Sequence, residues 1–406
     1  MKRLLMIEFN EICLSLVDRW ANEGLLPNFS RLREQSHCLV TASDTDDPVH
    51  LEPWIQWYSI HTGVPCDRHG VFHLTDGPGA GFDDVWTMLR AANRTVACGG
   101  SMNAKGFADP NGFFLPDPWC NSEPADPPAL NAYQRFVSAL VQQYTNTTTG
   151  LDATDYARVM AFLATHGLKP GTVREIVAQL ASERLGDSRV SWRRALLLDR
   201  LQFDVFSHYY RSRRPDFATF FVNSVAHLQH TYWRNMAPEQ FASVPDASEQ
   251  AVYAHAIRDG YQAMDRLLGD LIALAGPHCT IVLASALSQQ PFLRHEGDGG
   301  QRFYRPHDAR DMLARLSIVP RVVQPTMTHQ FMLRFDTADA CRDARQRLAD
   351  CRLEGQPLFD IGPELASDCL HFGNGLWREV DPNAMISDRR NMRSHRFGDL
   401  FYQMEA

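Results

Sequence analysis

Lysine is nearly absent from this chain: of 40 basic residues in 406, only Lys2, Lys105 and Lys169 are lysines. A lysine-rich binding face is therefore excluded. The formal net charge of -8 goes further, because a protein that tracks a phosphate backbone needs clustered basic surface. No nucleic-acid partner is expected. The basic residues that remain are arginines, whose planar fork suits bidentate recognition of small anions.

Long apolar runs are also missing. The opening MKRLLMIEFNE has one short apolar run that ends in acids, too short for a signal segment or a membrane span. A cytoplasmic location without a membrane partner is the expectation. The nine cysteines show no C-x-x-C pairing, which reads as buried reduced thiols rather than a disulfide framework or a zinc site. No fixed-period repeat is present. What the chain does have is 44% hydrophobic and 22% charged residues, enough for a sizeable core.

Apolar strand-like runs recur at RLLMIEF (3–9), RTVACGG (94–100), FATFFVNS (217–224) and CTIVLAS (279–285), separated by stretches of helical spacing. Such alternation predicts an α/β fold with a mainly parallel sheet sandwiched by helices, and ligands at the strands' C-terminal ends. The core is expected over 1–105 and 216–320. A Pro-, Asp- and Asn-rich loop followed by helices predicts an inserted, mostly helical cap over 106–215, and MTHQFMLRF with its sequel predicts a small α+β lobe over 321–406.

The densest polar segment is EPWIQWYSIHTGVPCDRHGVF (52–72), where two tryptophans, a tyrosine, a serine, a threonine and two histidines are set around Gly63 and the stretch closes with Arg-His-Gly. A core strand has no use for so many polar groups, so a turn that presents side chains to a ligand is the natural reading. Together with IEFNE (7–11), LPNFSRL (26–32), AHLQHTYW (226–233) and YQAMDRLLG (261–269), it resembles the alkaline phosphatase superfamily, in its type I phosphodiesterase and nucleotide pyrophosphatase branch. The resemblance spans most of 1–290 and implies a hydrolase of phosphoric esters. In that family a Thr or Ser nucleophile sits at the start of a helix, where backbone N–H groups favour an oxyanion. Counting back from Gly63 gives Ser59 as nucleophile, with Tyr58 beside it. The alternative for Ser59 is a helix N-cap. Trp54 and Trp57 read as core or pocket wall, and His69 as a structural hydrogen-bonder.

The resemblance also implies paired divalent metals, and here the residues depart from it. Asn10 stands at the first metal-binding aspartate, flanked by Glu8 and Glu11; an amide oxygen coordinates but brings no charge. Ala226 stands at the second aspartate, although His230 is kept and His227 lies three residues before it. At the end of the 279–284 run Ser285, Ala286, Leu287 and Ser288 replace Ser-Asp-His-Gly, and Ala and Leu cannot bind a metal. His395 is the nearest candidate for a final histidine. Glu8, Asn10, His227 and His230 are therefore the metal candidates, for zinc or manganese at partial occupancy of a paired site, with no metal as the alternative. His227 and His230 could equally be hydrogen-bonders in a polar pocket. The segment 295–312 carries Arg302, Arg305, His307 and Asp308, either an anion-binding loop or a salt-bridged surface turn.

The expected activity is an atypical phosphodiesterase-like hydrolase or phosphoryl-type transferase acting on a small anionic, phosphorylated or nucleotide-activated metabolite. Ser59, Tyr58, Glu11, Arg302 and Arg305 would carry the chemistry. A repurposed metal-free biosynthetic enzyme and a non-catalytic ligand-binding protein of the same fold are the other readings.

Overall fold

The computed structural model describes residues 3–47, 50–74, 76–120, 122–143, 151–293, 295–298, 300–326, 329–362, 367–388 and 394–404. Two compact units divide the chain, one of residues 1–138 and 151–292, the other of 139–150 and 293–406.

The first unit is built on a parallel sheet of β1 (Arg3–Phe9), β2 (Val96–Gly99), β3 (Phe113–Leu115), β4 (Phe217–Val222) and β5 (Cys279–Ala284), in the order β3-β2-β4-β1-β5. β1 pairs with β4 on one side and β5 on the other, in register Glu8↔Phe221 and Glu8↔Ala284. With helices on its faces, a parallel sheet buries both sets of side chains, and every residue of FATFFV is buried. The strands and helices predicted from hydrophobic spacing form this α/β core. Before β5 the chain forms two helices, Ala247–Tyr253 and Ala256–Ala275.

Two sequence motifs meet here for a structural reason. Asp265, buried in the Ala256–Ala275 helix, accepts the backbone N–H groups of Asn28 (2.9 Å) and Phe29 (2.8 Å) with one oxygen and the Asn28 side chain (2.8 Å) with the other. It thereby caps the Pro27–Glu34 helix from across the fold, satisfying donors that no intrahelical carbonyl can reach. Gly269 is required where the two helices touch: a Cβ there would lie 2.8 Å from Asn28 Oδ1.

Two boundaries differ from the sequence expectation. β3 joins the sheet, so the segment from 106 onward contributes to the core before it becomes helical. Within that segment the Arg194–Arg213 helix lies on the sheet, where Gln202 donates to Phe221 O (2.6 Å) and Gly99 O (3.2 Å); it covers strands rather than capping a site. The second unit starts near 293, not 321.

That unit holds β6 (Tyr304–Pro306), β7 (Val322–Pro325), β8 (Gln330–Arg334), β9 (Cys351–Leu353), β10 (Gln356–Pro357), β11 (Phe359–Ile361), β12 (Cys369–Asn374), β13 (Met385–Asp388), β14 (Ser394–Arg396) and β15 (Phe401–Gln403). They form antiparallel sheets β11-β12-β8-β7, β10-β9-β13-β14 and β15-β6. Its own core includes Leu333, Leu348, Leu353, Leu370 and Phe372. All nine cysteines are free; Cys38 is exposed, Cys279 half-buried and the others buried. Among the described residues no helix is long and apolar enough to cross a membrane.

Candidate functional site

The C-terminal end of β1 distributes three neighbouring polar residues to three different tasks. Glu8 points into the core, fully buried, where its carboxylate binds His61 Nε2 (2.9 Å) and the Ser101 hydroxyl (2.6 Å). Ser101 also meets Thr219 Oγ1 (2.7 Å). Asn10 is pinned on both sides: its oxygen accepts from Trp57 Nε1 (2.7 Å) and its nitrogen donates to Asn223 Oδ1 (2.7 Å). Glu11, also buried, turns instead toward the exposed His230. It does so from a left-handed backbone (φ +53), a conformation that costs a non-glycine residue energy and is worth noticing at a strand end.

Glu11 is held firmly. Gln229 donates to its carbonyl (2.8 Å), and Gln229 in turn accepts from the Tyr261 hydroxyl (2.8 Å), which accepts Cys13 N–H (2.8 Å). The Glu11 carboxylate meets His230 Nε2 at 3.0 Å and accepts from Gln289 Nε2. The Glu11 side chain is 6% exposed and that of His230 64%, so a buried carboxylate lies beneath an imidazole that solvent and ligands can reach. His230 and His227 both lie on the Ser224–Met236 helix that follows β4, three residues apart and hence on one face.

The second carboxylate of the cluster is Glu52, which the sequence reading passed over. It occupies the N-cap position of the Pro53–Thr62 helix without capping it by its side chain, while Pro53 at the first helical position removes one donor. Burial, reinforced by the Glu11 charge and opposed by His230, pushes the Glu52 carboxyl up to about 7. Partial enclosure pulls the His230 imidazole down, but the Glu11 hydrogen bond and the charges of Glu11 and Glu52 outweigh it and hold its pKa above the ordinary value. His227 goes the other way, lowered by burial and then by His230. Glu52 and His227 are thus displaced in opposite directions, each by burial first. The Glu-Pro step at a helix start was the available signal for Glu52; Gln289 left none.

Ser59 and Tyr58 lie elsewhere. Ser59 is the seventh residue of its ten-residue helix, neither at the helix start nor an N-cap. Its hydroxyl meets Asp44 Oδ2 (2.6 Å) and His69 Nε2 (2.9 Å). Val71 N–H donates to His69 Nδ1 (2.9 Å), so in the neutral ring Nε2 carries the proton and donates to Ser59, which then donates to Asp44. Burial lowers the His69 pKa, against the pull of Asp44 and Asp67, which favours that neutral ring. Tyr58 is buried edge-on to His69 (4.9 Å) and reaches the backbone of Phe82. Arg302 and Arg305 belong to the second unit, as do His307, Asp308 and His395, the last on β14 opposite Ile386.

The metal candidates do not converge. Glu8 is committed to the core, Asn10 to Trp57 and Asn223, and Ala226, Ala286 and Leu287 offer no donor atom. Among the described residues, no group of three or more His, Cys, Asp or Glu is arranged to hold a metal ion. The donor set does not fit the paired divalent centre implied by the resemblance.

In open parallel sheets ligands bind at the C-terminal edge of the strands, and this polar cluster lies at that edge. Residues 14–295 match the type I phosphodiesterase / nucleotide pyrophosphatase family, and the chain belongs to that family. No curated protein matches it. Among solved structures it is similar to phosphonoacetate hydrolase from Sinorhizobium meliloti 1021. The complex with phosphonoformate is 14% identical, with 94% of this chain and 83% of that chain covered and a TM-score of 0.36. The complex with phosphonoacetate is 15% identical, with 92% and 81% covered and a TM-score of 0.36.

Proposed function

We propose that the chain hydrolyses a phosphoryl-type ester of a small anionic metabolite, by acid–base chemistry at Glu52, His227, His230 and Glu11. The observation that carries this reading is the 3.0 Å hydrogen bond between the buried Glu11 carboxylate and the exposed His230 imidazole at the end of β1, and the Glu52 carboxyl, pushed up to about 7 by burial, supports it. Opposite displacements of two titratable groups assign the roles. Glu52, protonated below about 7, is the general acid; His227, neutral because its pKa is lowered, is the general base. His230, its pKa raised by the Glu11 hydrogen bond and exposed to solvent, presents a donor edge to the phosphoryl oxygens.

In the reaction, water bonds to phosphorus and yields a proton to His227. The phosphorus–oxygen bond to the leaving group breaks, and Glu52 protonates the departing oxygen. Water is added across one ester bond, and proton exchange with solvent restores both side chains.

Turnover of a chromogenic phosphodiester is expected to follow a bell-shaped pH profile. Its alkaline limb lies near the Glu52 value of about 7 and its acid limb below the ordinary histidine value. Glu52→Gln should lower kcat roughly 10²–10⁴-fold, the usual contribution of a general acid, and remove the alkaline limb. Persistence of that limb in the variant would show that Glu52 does not titrate in the rate.

A second reading rests on the Ser59 hydroxyl between Asp44 and His69, with Ser59 as nucleophile and Asp44 as its base. Burial raises Asp44, but the bonds from Ser59, Gln56 and Cys66 N–H, with the nearby His69, hold its pKa below the ordinary carboxylate value and make it a weak base. Under the Glu52 mechanism Ser59→Ala keeps turnover; a trapped phosphoserine, lost in that variant, would favour the second reading.

A further inference from the structure

We propose that the first unit carries a second ligand site, for a small hydroxylated phosphate ester, in a cavity at the edge of the sheet opposite Glu11. The cavity measures about 410 Å³ and is lined by Gly167, Lys169, Ser207, His208, Arg211 and Ser212. That volume falls within the range of small-molecule sites, about 300–1,000 Å³. Its place follows from the Arg194–Arg213 helix, which runs antiparallel to the strands it covers. Asp199, early in this helix, accepts from Ser224, just beyond the C-terminal end of β4. Tyr210, near its end, reaches Cys279 at the start of β5 (3.6 Å), and its ring lies 5.9 Å from the Arg3 guanidinium at the start of β1. Residues 207–212 therefore stand at the N-terminal edge of the sheet. No residue of the Glu11–Glu52 cluster lines this cavity.

The lining is fixed from behind. Gly167 lets the loop close against the helix from a left-handed backbone (φ +101): a Cβ there would lie 2.6 Å from Asp204 O and 2.7 Å from His208 Cβ. Lys169 Nζ is held 3.0 Å from Asp204 Oδ1 and 4.3 Å from the Phe203 ring centroid. The Asp204 carboxylate, fully buried, also accepts from Thr172 Oγ1 (2.6 Å) and from Lys169 N–H (3.0 Å). Asp204 balances Lys169, which leaves the charge of Arg211 over: this exposed side chain has no ion pair among the described residues. His208 lies on the same helix face, three residues before Arg211. Burial, then His166 with its ring 5.3 Å away, hold the His208 pKa below the ordinary value, so its neutral ring offers one N–H. The two hydroxyls differ. Ser207 Oγ donates to Asp204 O (3.0 Å) and Ser212 Oγ to His208 O (3.0 Å), so toward a ligand both act as acceptors. Two cations and an imidazole N–H that donate, beside two hydroxyls that accept, match phosphate oxygens joined to a carrier with O–H groups. A fully ionised anion without such groups leaves both hydroxyls unmatched.

The test is an NMR titration of the histidine-¹⁵N-labelled full chain with glycerol phosphate, with glycerol and inorganic phosphate as separate arms. The His208 signal is assigned by its loss in His208→Gln. Glycerol phosphate should shift that signal saturably, inorganic phosphate only at higher concentration, and glycerol not at all. Arg211→Gln removes a charge-assisted hydrogen bond and should weaken the response to glycerol phosphate roughly 10- to 100-fold. Because Arg211 is exposed, this variant should fold and keep its turnover. Glu52→Gln should respond as the wild type does, which separates this site from the acid–base cluster. The proposal is overturned if glycerol phosphate leaves His208 unmoved, if Arg211→Gln binds as tightly as the wild type, if inorganic phosphate binds as tightly as the ester, or if the response is lost in Glu52→Gln.

Discussion

A carboxylate at the end of a central strand can face a ligand or face the core, and Glu8 faces the core. In Ile7-Glu8-Phe9 successive side chains leave opposite faces of a sheet whose two faces are both covered, so either direction leads inward. Glu8 is tolerated there because His61 and Ser101 complete its hydrogen bonds. Removing one partner from such a buried set costs about 3–5 kcal/mol. Glu8→Ala is therefore expected to lower the urea midpoint markedly while turnover per folded molecule is kept; a variant of wild-type stability without activity would give Glu8 back to chemistry. The sequence showed that acids cluster at IEFNE, but not which one meets the exposed His230. That is decided by Gln229 and Tyr261, more than 200 residues away, which fix the left-handed turn at Glu11. Local spacing carries no information about partners so distant.

At the scale of elements, the motifs that carried the family resemblance turn out to be joints between helices and strands. The Pro53–Thr62 helix is tied to β1 twice, through Trp57–Asn10 and His61–Glu8. Trp57→Phe keeps the ring but leaves the buried Asn10 oxygen without its donor, at a cost of about 1–3 kcal/mol by denaturation. Asp265 does the same work for the Pro27–Glu34 helix. Asp265→Ala strips acceptors from two backbone N–H groups and should cost about 0.5–2 kcal/mol, the usual range for a lost cap, with kcat unchanged. A fall in kcat without a fall in stability would place Asp265 in the chemistry instead. Strand and helix positions were legible because hydrophobic period sets them. Counting back from Thr-Gly gives Ser59; in the structure Pro53 begins that helix, Ser59 is its seventh residue, and the N-cap position is held by a carboxylate, Glu52.

For the whole molecule, the buried titratable groups make the two units respond differently to acid. In the second unit the folded state holds His329 near 4, while the unfolded chain takes up that proton near the ordinary 6.5. Stability is therefore lost as pH falls from about 6.5 to about 4 and changes no further at this site below that. In the first unit burial raises the carboxyls of Glu52, Asp117 and Asp199 to about 7, so the folded state keeps protons that the unfolded chain has released. Between the ordinary carboxylate value and about 7 these three groups favour folding more as pH falls. They offset the opposite effect of His69, His73, His208 and His227, whose pKa values burial lowers. On acidification from pH 7 to 5, hydrogen exchange should thus accelerate in β8 and β12 before it does in β1 and β4. His329→Gln should remove most of that difference. Equal acceleration in both units of the wild type would mean that they unfold as one body, with His329 contributing nothing particular to the second.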